Sequence, residues 1–206
     1  MNITYIGHSG FLIEWDECYM LFDYFEGDLP DLMQSKKLYV FVSHHHHDHY
    51  NPKVFELMQR VESVEYIISD DVHLEENMDF HSNGRIQFVS PHRTYEFPHQ
   101  EGKTWKLFTL RSTDEGVAFL LEYHDQRIYY AADLNLWLWK GESIEYNRNM
   151  SNLFHEEMEY LKEVTLDFAF VPLDPRQEEY YSRGIEVLLA TATVKYLFPM
   201  HFWKQP

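Results

Sequence analysis

His44-His45-His46-His47-Asp48-His49 places five histidines and one aspartate in six consecutive positions. Read with gaps, the stretch is H-x-H-x-D-H, carried by His44, His46, Asp48 and His49. Neutral imidazole and carboxylate are common protein ligands of zinc, at about 2.0–2.2 Å. In extended chain, residues two apart point the same way. His44 and His46 can therefore grip one ion together, while His45 and His47 face elsewhere. Asp48 and His49 are adjacent, point differently, and can address a second ion. Two metals about 3.5–4 Å apart form a known hydrolytic arrangement. An expression tag would not lie at an internal position between a strand and a helix start.

Two distant residues share the context of this cluster. Asp133 follows the hydrophobic strand expected at Arg127–Ala131, and His201 follows that at Tyr196–Pro199. Their ordinary uses are a turn aspartate and a partly buried structural histidine. Standing just past strand ends, as the cluster does, they are also candidate metal ligands. Asp23 follows another strand and is a candidate partner for a ligand histidine, or a loop cap. His8 sits in an early turn, with a ligand and a turn role both open. Arg176 follows the Phe168–Leu173 strand and is a candidate for meeting an anionic group at the site rim. A surface ion pair is its ordinary use. Trp137, Trp139, Phe202, Trp203 and Tyr50 lie near these positions in sequence, able to wall a pocket or to fill the core.

The elements that must hold these residues can be read from hydrophobic pattern and turn signals. Met1–Ile6, Phe11–Trp15 and Tyr19–Phe22 read as short strands. The apolar run Leu38–Val42 enters the histidine cluster, and Asn51-Pro52 leaves it as an N-cap and first helical residue. A helix is expected at Pro52–Val61, a strand at Glu65–Ser69 and a short helix near Val72–Asn77. Strands are expected at Ile86–Ser90, Thr104–Leu110, Val117–Tyr123 and Arg127–Ala131, the last two joined as a hairpin through His124-Asp125-Gln126. Ser151–Glu163 has helical periodicity, Phe168–Leu173 reads as a buried strand, Ile185–Thr193 as a helix and Tyr196–Pro199 as the last strand. This order suggests two sheets covered by helices. No repeat, linker or low-complexity segment marks a boundary, so a single domain over 1–206 is expected.

Composition narrows the function classes. The 206 residues suffice for one domain with a sizeable core, and 45% hydrophobic with 17% aromatic content excludes global disorder. The net charge of −17 and the lack of a basic cluster disfavour nucleic acid, whose phosphates are bound by Lys and Arg. No apolar run reaches the eighteen or so residues of a membrane span. Met1–Tyr5 lacks a basic segment followed by a long apolar one, so no signal peptide is expected. Cys18 is the only cysteine, which rules out an intrachain disulfide. A cytoplasmic protein with a small-molecule substrate, no membrane and no nucleic acid partner is the expectation. Oligomeric state is not readable.

The chain resembles the metallo-β-lactamase superfamily of metal-dependent hydrolases. Ile3–Ile13 and Leu21-Phe22-Asp23 are similar to its opening strands, and FVSHHHHDHYNP to its signature loop. IYYAADLN resembles the strand carrying its bridging aspartate, and LFPMHFW its terminal histidine. The resemblance implies an α/β fold, a four-layer αββα sandwich of two mixed sheets flanked by helices. It implies a first metal site with His44 and His46, and a second with Asp48, His49 and His201, bridged by Asp133. The superfamily usually adds a histidine to the first site between the signature loop and the bridging aspartate. Here that region, Leu110–Gly116, has none. Asp114 can substitute, water can fill the position, or a single metal binds tightly. Asp114 is otherwise a turn residue before a strand. His92 and His99 are close in sequence, but nothing directs them to the site.

The function implied is a zinc-dependent hydrolase. Zinc lowers the pKa of a bound water from 15.7 to about 7, which makes hydroxide available to attack an ester, lactone, amide or phosphoester. Asp48 orients that hydroxide as the catalytic residue. Members with di-iron redox chemistry typically carry Glu where this chain has His46, so histidine favours zinc, as one or two ions. Iron or manganese remain open. The alternatives are a phosphodiesterase of the same superfamily and a metal-binding regulatory protein with a degenerate site.

Overall fold

A computed structural model of the chain describes residues 1–74, 84–99 and 104–203. By packing it divides into two compact units, residues 1–90 and 91–206. Each is built on one mixed sheet, six-stranded among the described residues.

In the first unit the strands are β1 (Asn2–Gly7), β2 (Gly10–Glu14), β3 (Cys18–Phe22), β4 (Lys37–Val42), β5 (Val64–Ser69) and β6 (Gly84–Val89), paired in that order. β1 to β3 are antiparallel, and β3 to β6 are parallel. β3 and β5 are buried at every position, and β4 at all but its first. That explains why they read as continuous apolar runs rather than alternating ones. Leu12, Leu21, Val40, Val42, Tyr66 and Ile68 form the centre of this core. Residues Pro52–Gln59 form a helix of the tighter 3₁₀ type, where sequence suggested an α-helix to Val61. The Asn51 side chain accepts from Lys53 N (3.0 Å) and caps it. Val54, Phe55, Leu57 and Met58 bury its inner face in the core. The expected helix near Val72–Asn77 falls largely outside the described residues, and Val72–Leu74 is not helical.

In the second unit the strands are β7 (Thr94–Pro98), β8 (Thr104–Arg111), β9 (Val117–Tyr123), β10 (Gln126–Tyr130), β11 (Thr165–Pro172) and β12 (Thr193–Met200). β7 to β10 form an antiparallel meander, and β10, β11 and β12 run parallel. β7 has no counterpart in the sequence reading. It is an edge strand that ends on Pro98, with mostly exposed or half-buried positions. Helix α1 spans Ile144–Met158, beginning at the cap Ser143, whose hydroxyl accepts from Tyr146 N. It therefore starts one to two turns before the periodic segment at Ser151. Its first turn is solvent-facing, with Ile144 90% exposed, so hydrophobic periodicity could not mark it. Helix α2 spans Arg183–Thr191 and packs on β11 and β12. Helical cover is thus lighter than the expected sandwich layers suggested. No helix among the described residues is long and apolar enough to cross a membrane.

Candidate metal centre

The loop after β4 carries the histidine cluster, and it is held by Asp23 at the end of β3. Asp23 is fully buried. Its carboxylate accepts from Ser43 N (2.8 Å), Ser43 Oγ (2.6 Å) and His49 Nδ1 (2.8 Å). Ser43 Oγ spends its proton on Asp23, so it accepts from His44 Nδ1 at 2.9 Å. A carboxylate can only accept, so both imidazoles carry their proton on Nδ1. Nε2 then bears the lone pair that a metal requires. His44 and His49 are fully buried, with ring centroids 4.1 Å apart.

Within this unit the ligand-type groups fall into two sets. His44 and His46 each offer a nitrogen within 4.8 Å of the other, and their rings stand nearly perpendicular at 4.7 Å. His8, Asp48 and His49 likewise offer ligand atoms within 4.8 Å of one another. His8 Nε2 lies 3.3 Å from Asp48 Oδ2, so the turn between β1 and β2 brings His8 to the cluster. His45 instead meets Asp71 through its backbone N–H (3.0 Å) and Nδ1 (2.9 Å), and the His47 side chain is 90% exposed. These two histidines face away from both sets. Tyr50 packs on Phe55 against the core, a structural use.

The second unit repeats the device. Asp174, at the end of β11, is fully buried and accepts from His201 Nδ1 at 2.9 Å. His201 therefore also presents Nε2 as the lone-pair nitrogen, and Nε2 lies 3.5 Å from Asp133 Oδ1. Arg176 donates through Nε and Nη2 to Asp174, and its backbone N–H does so at 2.9 Å. Burial would raise the Asp174 pKa, but the bonds from His201 and Arg176 outweigh it and hold the carboxyl below the usual carboxylate range. Arg176 is thus engaged by a buried carboxylate, and its guanidinium lies over the Trp203 ring at 4.7 Å.

The Asp133 loop is fixed from several sides. Trp137 Nε1 donates to Asp133 O (2.9 Å). Thr113 Oγ1 donates to Asn135 O (2.6 Å) and accepts from Asn135 N (3.1 Å). Gln177, buried, accepts from Asn135 Nδ2 (2.9 Å) and donates to Leu136 O (2.8 Å). The Thr113 clamp brings Asp114 close, with carboxylate oxygens of Asp114 and Asp133 within 4.8 Å. The segment without its expected histidine thus places a carboxylate oxygen beside Asp133. Neither His92 nor His99 is used there: His92 donates to Glu157 (2.9 Å), and His99 lies against Tyr123 and His124.

Several of these residues adopt left-handed backbone, at φ 51° for His8, 40° for Asp23, 47° for Ala132 beside Asp133, and 64° for His201. For residues other than glycine this costs about 1–2 kcal/mol each. These are four of the ten non-glycine residues with positive φ among the described residues; the others include the hairpin residues His124 and Asp125.

Sequence reasoning missed Asp174, Ser43, Thr113 and Gln177. Asp174 carried a usable signal, since it stands just past a strand end, as Asp23 does, and precedes a proline. Thr113 and Gln177 act through contacts far apart in sequence, and Ser43, although next to His44, is tied to Asp23 twenty residues away.

In each unit, Nδ1-tethered imidazoles and nearby carboxylates at strand ends form a candidate metal-binding set. These donors fit a divalent ion of the zinc, iron or manganese kind. Residues 2–148 match the family described as the beta-lactamase superfamily domain, and the chain belongs to that superfamily. Its fold is that of the metallo-β-lactamase proteins. One similar structure is described as a metal-dependent hydrolase from Parabacteroides distasonis, with 18% identity and TM-score 0.56, covering 98% of this chain and 83% of that one. Another is Igni18, a metallo hydrolase from Ignicoccus hospitalis, with 18% identity and TM-score 0.57, covering 97% and 81%. A third is CmlA, a diiron β-hydroxylase from Streptomyces venezuelae, with 12% identity and TM-score 0.56, covering 97% of this chain and 44% of that one. A comparison with curated proteins found no match.

Proposed function

We propose that this chain is a metal-dependent hydrolase that cleaves an ester, lactone, amide or phosphoester bond in a small molecule. The observation that carries the reading is the tethering of His44, His49 and His201 through Nδ1 to Ser43, Asp23 and Asp174. Such partners fix the tautomer and aim of ligand imidazoles. His44, His46, Asp48, His49, Asp133 and His201 are the proposed ligands. His8 and Asp114 are additional candidates on the strength of their distances to Asp48 and Asp133. When bound, the metal supplies a Lewis acid and lowers the pKa of water. Asp48 accepts a hydrogen bond from the attacking water and orients it. Asp23 and Asp174 accept the Nδ1 protons of His49 and His201 and so keep Nε2 of each available for a metal.

Histidine at position 46 supports zinc, and one similar structure shows that this fold also serves iron in another protein. The family match runs continuously across residue 90, which supports a single functional domain. The charge of −17 supports a substrate other than nucleic acid, and a cytoplasmic site of action fits the single cysteine. The test is a screen of esters, lactones, thioesters, amides and phosphodiesters with added zinc, iron or manganese. A metal-dependent activity that Asp48→Ala lowers by about 10²-fold or more is expected. No activity with any metal would overturn the hydrolase reading.

A further inference from the structure

Strand β4 lies between β3 and β5 in the first sheet. The histidine loop that follows it is therefore flanked by the ends of both neighbours. Asp23, at the end of β3, holds the outer positions of that loop, Ser43 and His49. An inner position is held from the other side. Asp71, two residues past β5, accepts through Oδ2 from the His45 backbone N–H (3.0 Å) and from His45 Nδ1 (2.9 Å). The N–H of His45 belongs to the peptide plane shared with His44, so this bond fixes that plane. The His45 ring lies beside that of His46, with centroids 4.8 Å apart. The His46 carbonyl in turn accepts from His49 N (3.0 Å) and Tyr50 N (2.9 Å). One carboxylate oxygen thus bears on both neighbours of His45, which are the first pair of candidate ligands.

Asp71 is itself a fixed point. The turn after β5 closes with Val72 N donating to Ser69 O (3.1 Å), and the Val72 side chain is buried in the core. Asp70 donates from its backbone N–H to Val89 O (3.0 Å) and accepts from Ser90 Oγ (2.6 Å), which ties the turn to the end of β6. Burial opposes ionisation of Asp71, but hydrogen bonds from Ser69 and His45 outweigh it and lower its pKa. The group that grips His45 is therefore a carboxylate at neutral pH, and its position is set by the sheet rather than by the loop it holds.

We propose that Asp71 is a positioning residue for the metal centre, clamping His45 so that His44 and His46 on either side converge on one ion. The proposal rests on the metal-dependent reading and adds to it a residue that acts only through another.

The test is zinc titration of the full chain, freed of metal by dialysis, against a competing chelator, with urea unfolding of each metal-free variant in parallel. Asp71→Ala removes both bonds to His45, and zinc affinity should fall about tenfold. Asparagine can place its carbonyl oxygen where Oδ2 stands and keep both bonds, so Asp71→Asn should stay within about threefold of the unmodified chain. His45→Ala, at a half-exposed position that should not endanger folding, loses the imidazole bond and keeps the backbone one, and should weaken zinc several-fold. A merely structural role would lower the urea midpoint and leave the zinc affinity of the folded chain unchanged. An affinity within about twofold of the unmodified chain in a folded Asp71→Ala protein, or in His45→Ala, would overturn the proposal. So would equal losses in Asp71→Asn and Asp71→Ala, which would assign the effect to charge. Those results would leave the metal-dependent reading standing, whereas an unmodified chain that binds no zinc would overturn both.

Discussion

Asp23→Asn isolates the part of the centre that one buried carboxylate controls. Asparagine keeps the size and can still accept from Ser43 N. Its amide nitrogen would replace the oxygen that accepts from Ser43 Oγ and His49 Nδ1 at 2.6 and 2.8 Å. Each hydrogen bond to a buried charge contributes about 1.5–3 kcal/mol. Rotation of the hydroxyl and a change of imidazole tautomer recover part of this, leaving a destabilisation of about 2–4 kcal/mol. The recovery itself harms the site. When the amide donates to Nδ1, the His49 proton moves to Nε2, and that nitrogen loses its lone pair. Metal affinity should fall about 10–100-fold. Urea unfolding reads the first quantity, and zinc titration against a competing chelator reads the second. A folded Asp23→Asn protein that binds zinc within twofold of the unmodified chain would refute the tautomer argument.

Two further outcomes follow from the packing and the charges. A Cβ at Gly184 would stand 2.0 Å from Asn135 Oδ1 and 3.3 Å from Leu136 N. Gly184→Ala should therefore cost about 1–3 kcal/mol in urea unfolding and displace the Asp133 loop, whereas a neutral result would show that the loop yields freely. The Asp167 carboxylate accepts from Lys195 Nζ (2.7 Å) and Arg127 N (2.8 Å). Burial opposes ionisation, but these bonds prevail and lower its pKa. A carboxyl with a depressed folded pKa contributes stability above its unfolded pKa of about 3.9, and loses it as pH falls through the folded value. The gap in urea midpoint between the unmodified chain and Asp167→Asn should thus be full near about pH 6 and shrink below about pH 3.5. A gap that is constant over this range would contradict it.

Much of the fold was legible because β2 to β5 and β9 to β11 are apolar runs punctuated by turn residues. The exceptions have physical causes. β7 is an exposed edge, so burial left no pattern on Thr94–Pro98. The first turns of α1 are solvated, so only Ser143 marks its start. Pro52–Gln59 carries a helical apolar face, but that face does not distinguish 3₁₀ from α winding. In the site, the cluster from His44 to His49 stands out in the sequence because its candidate ligands are neighbours there. Asp133 and His201 stand out as candidates because each follows a strand end, β10 and β12 respectively. The Asp174 partnership with His201 spans 27 residues, and the Thr113 clamp that carries Asp114 toward Asp133 spans 22. Such pairs are created by strand order, not by local pattern.

The central claim is that these imidazoles and carboxylates bind metal. Elemental analysis of the purified chain beside His44→Ala, His49→Ala and His201→Ala tests it most directly. One or two equivalents of zinc, iron or manganese per chain are expected, with a clear loss in each variant that remains folded. A folded, unmodified chain that stays metal-free after incubation with each of these ions would contradict the account.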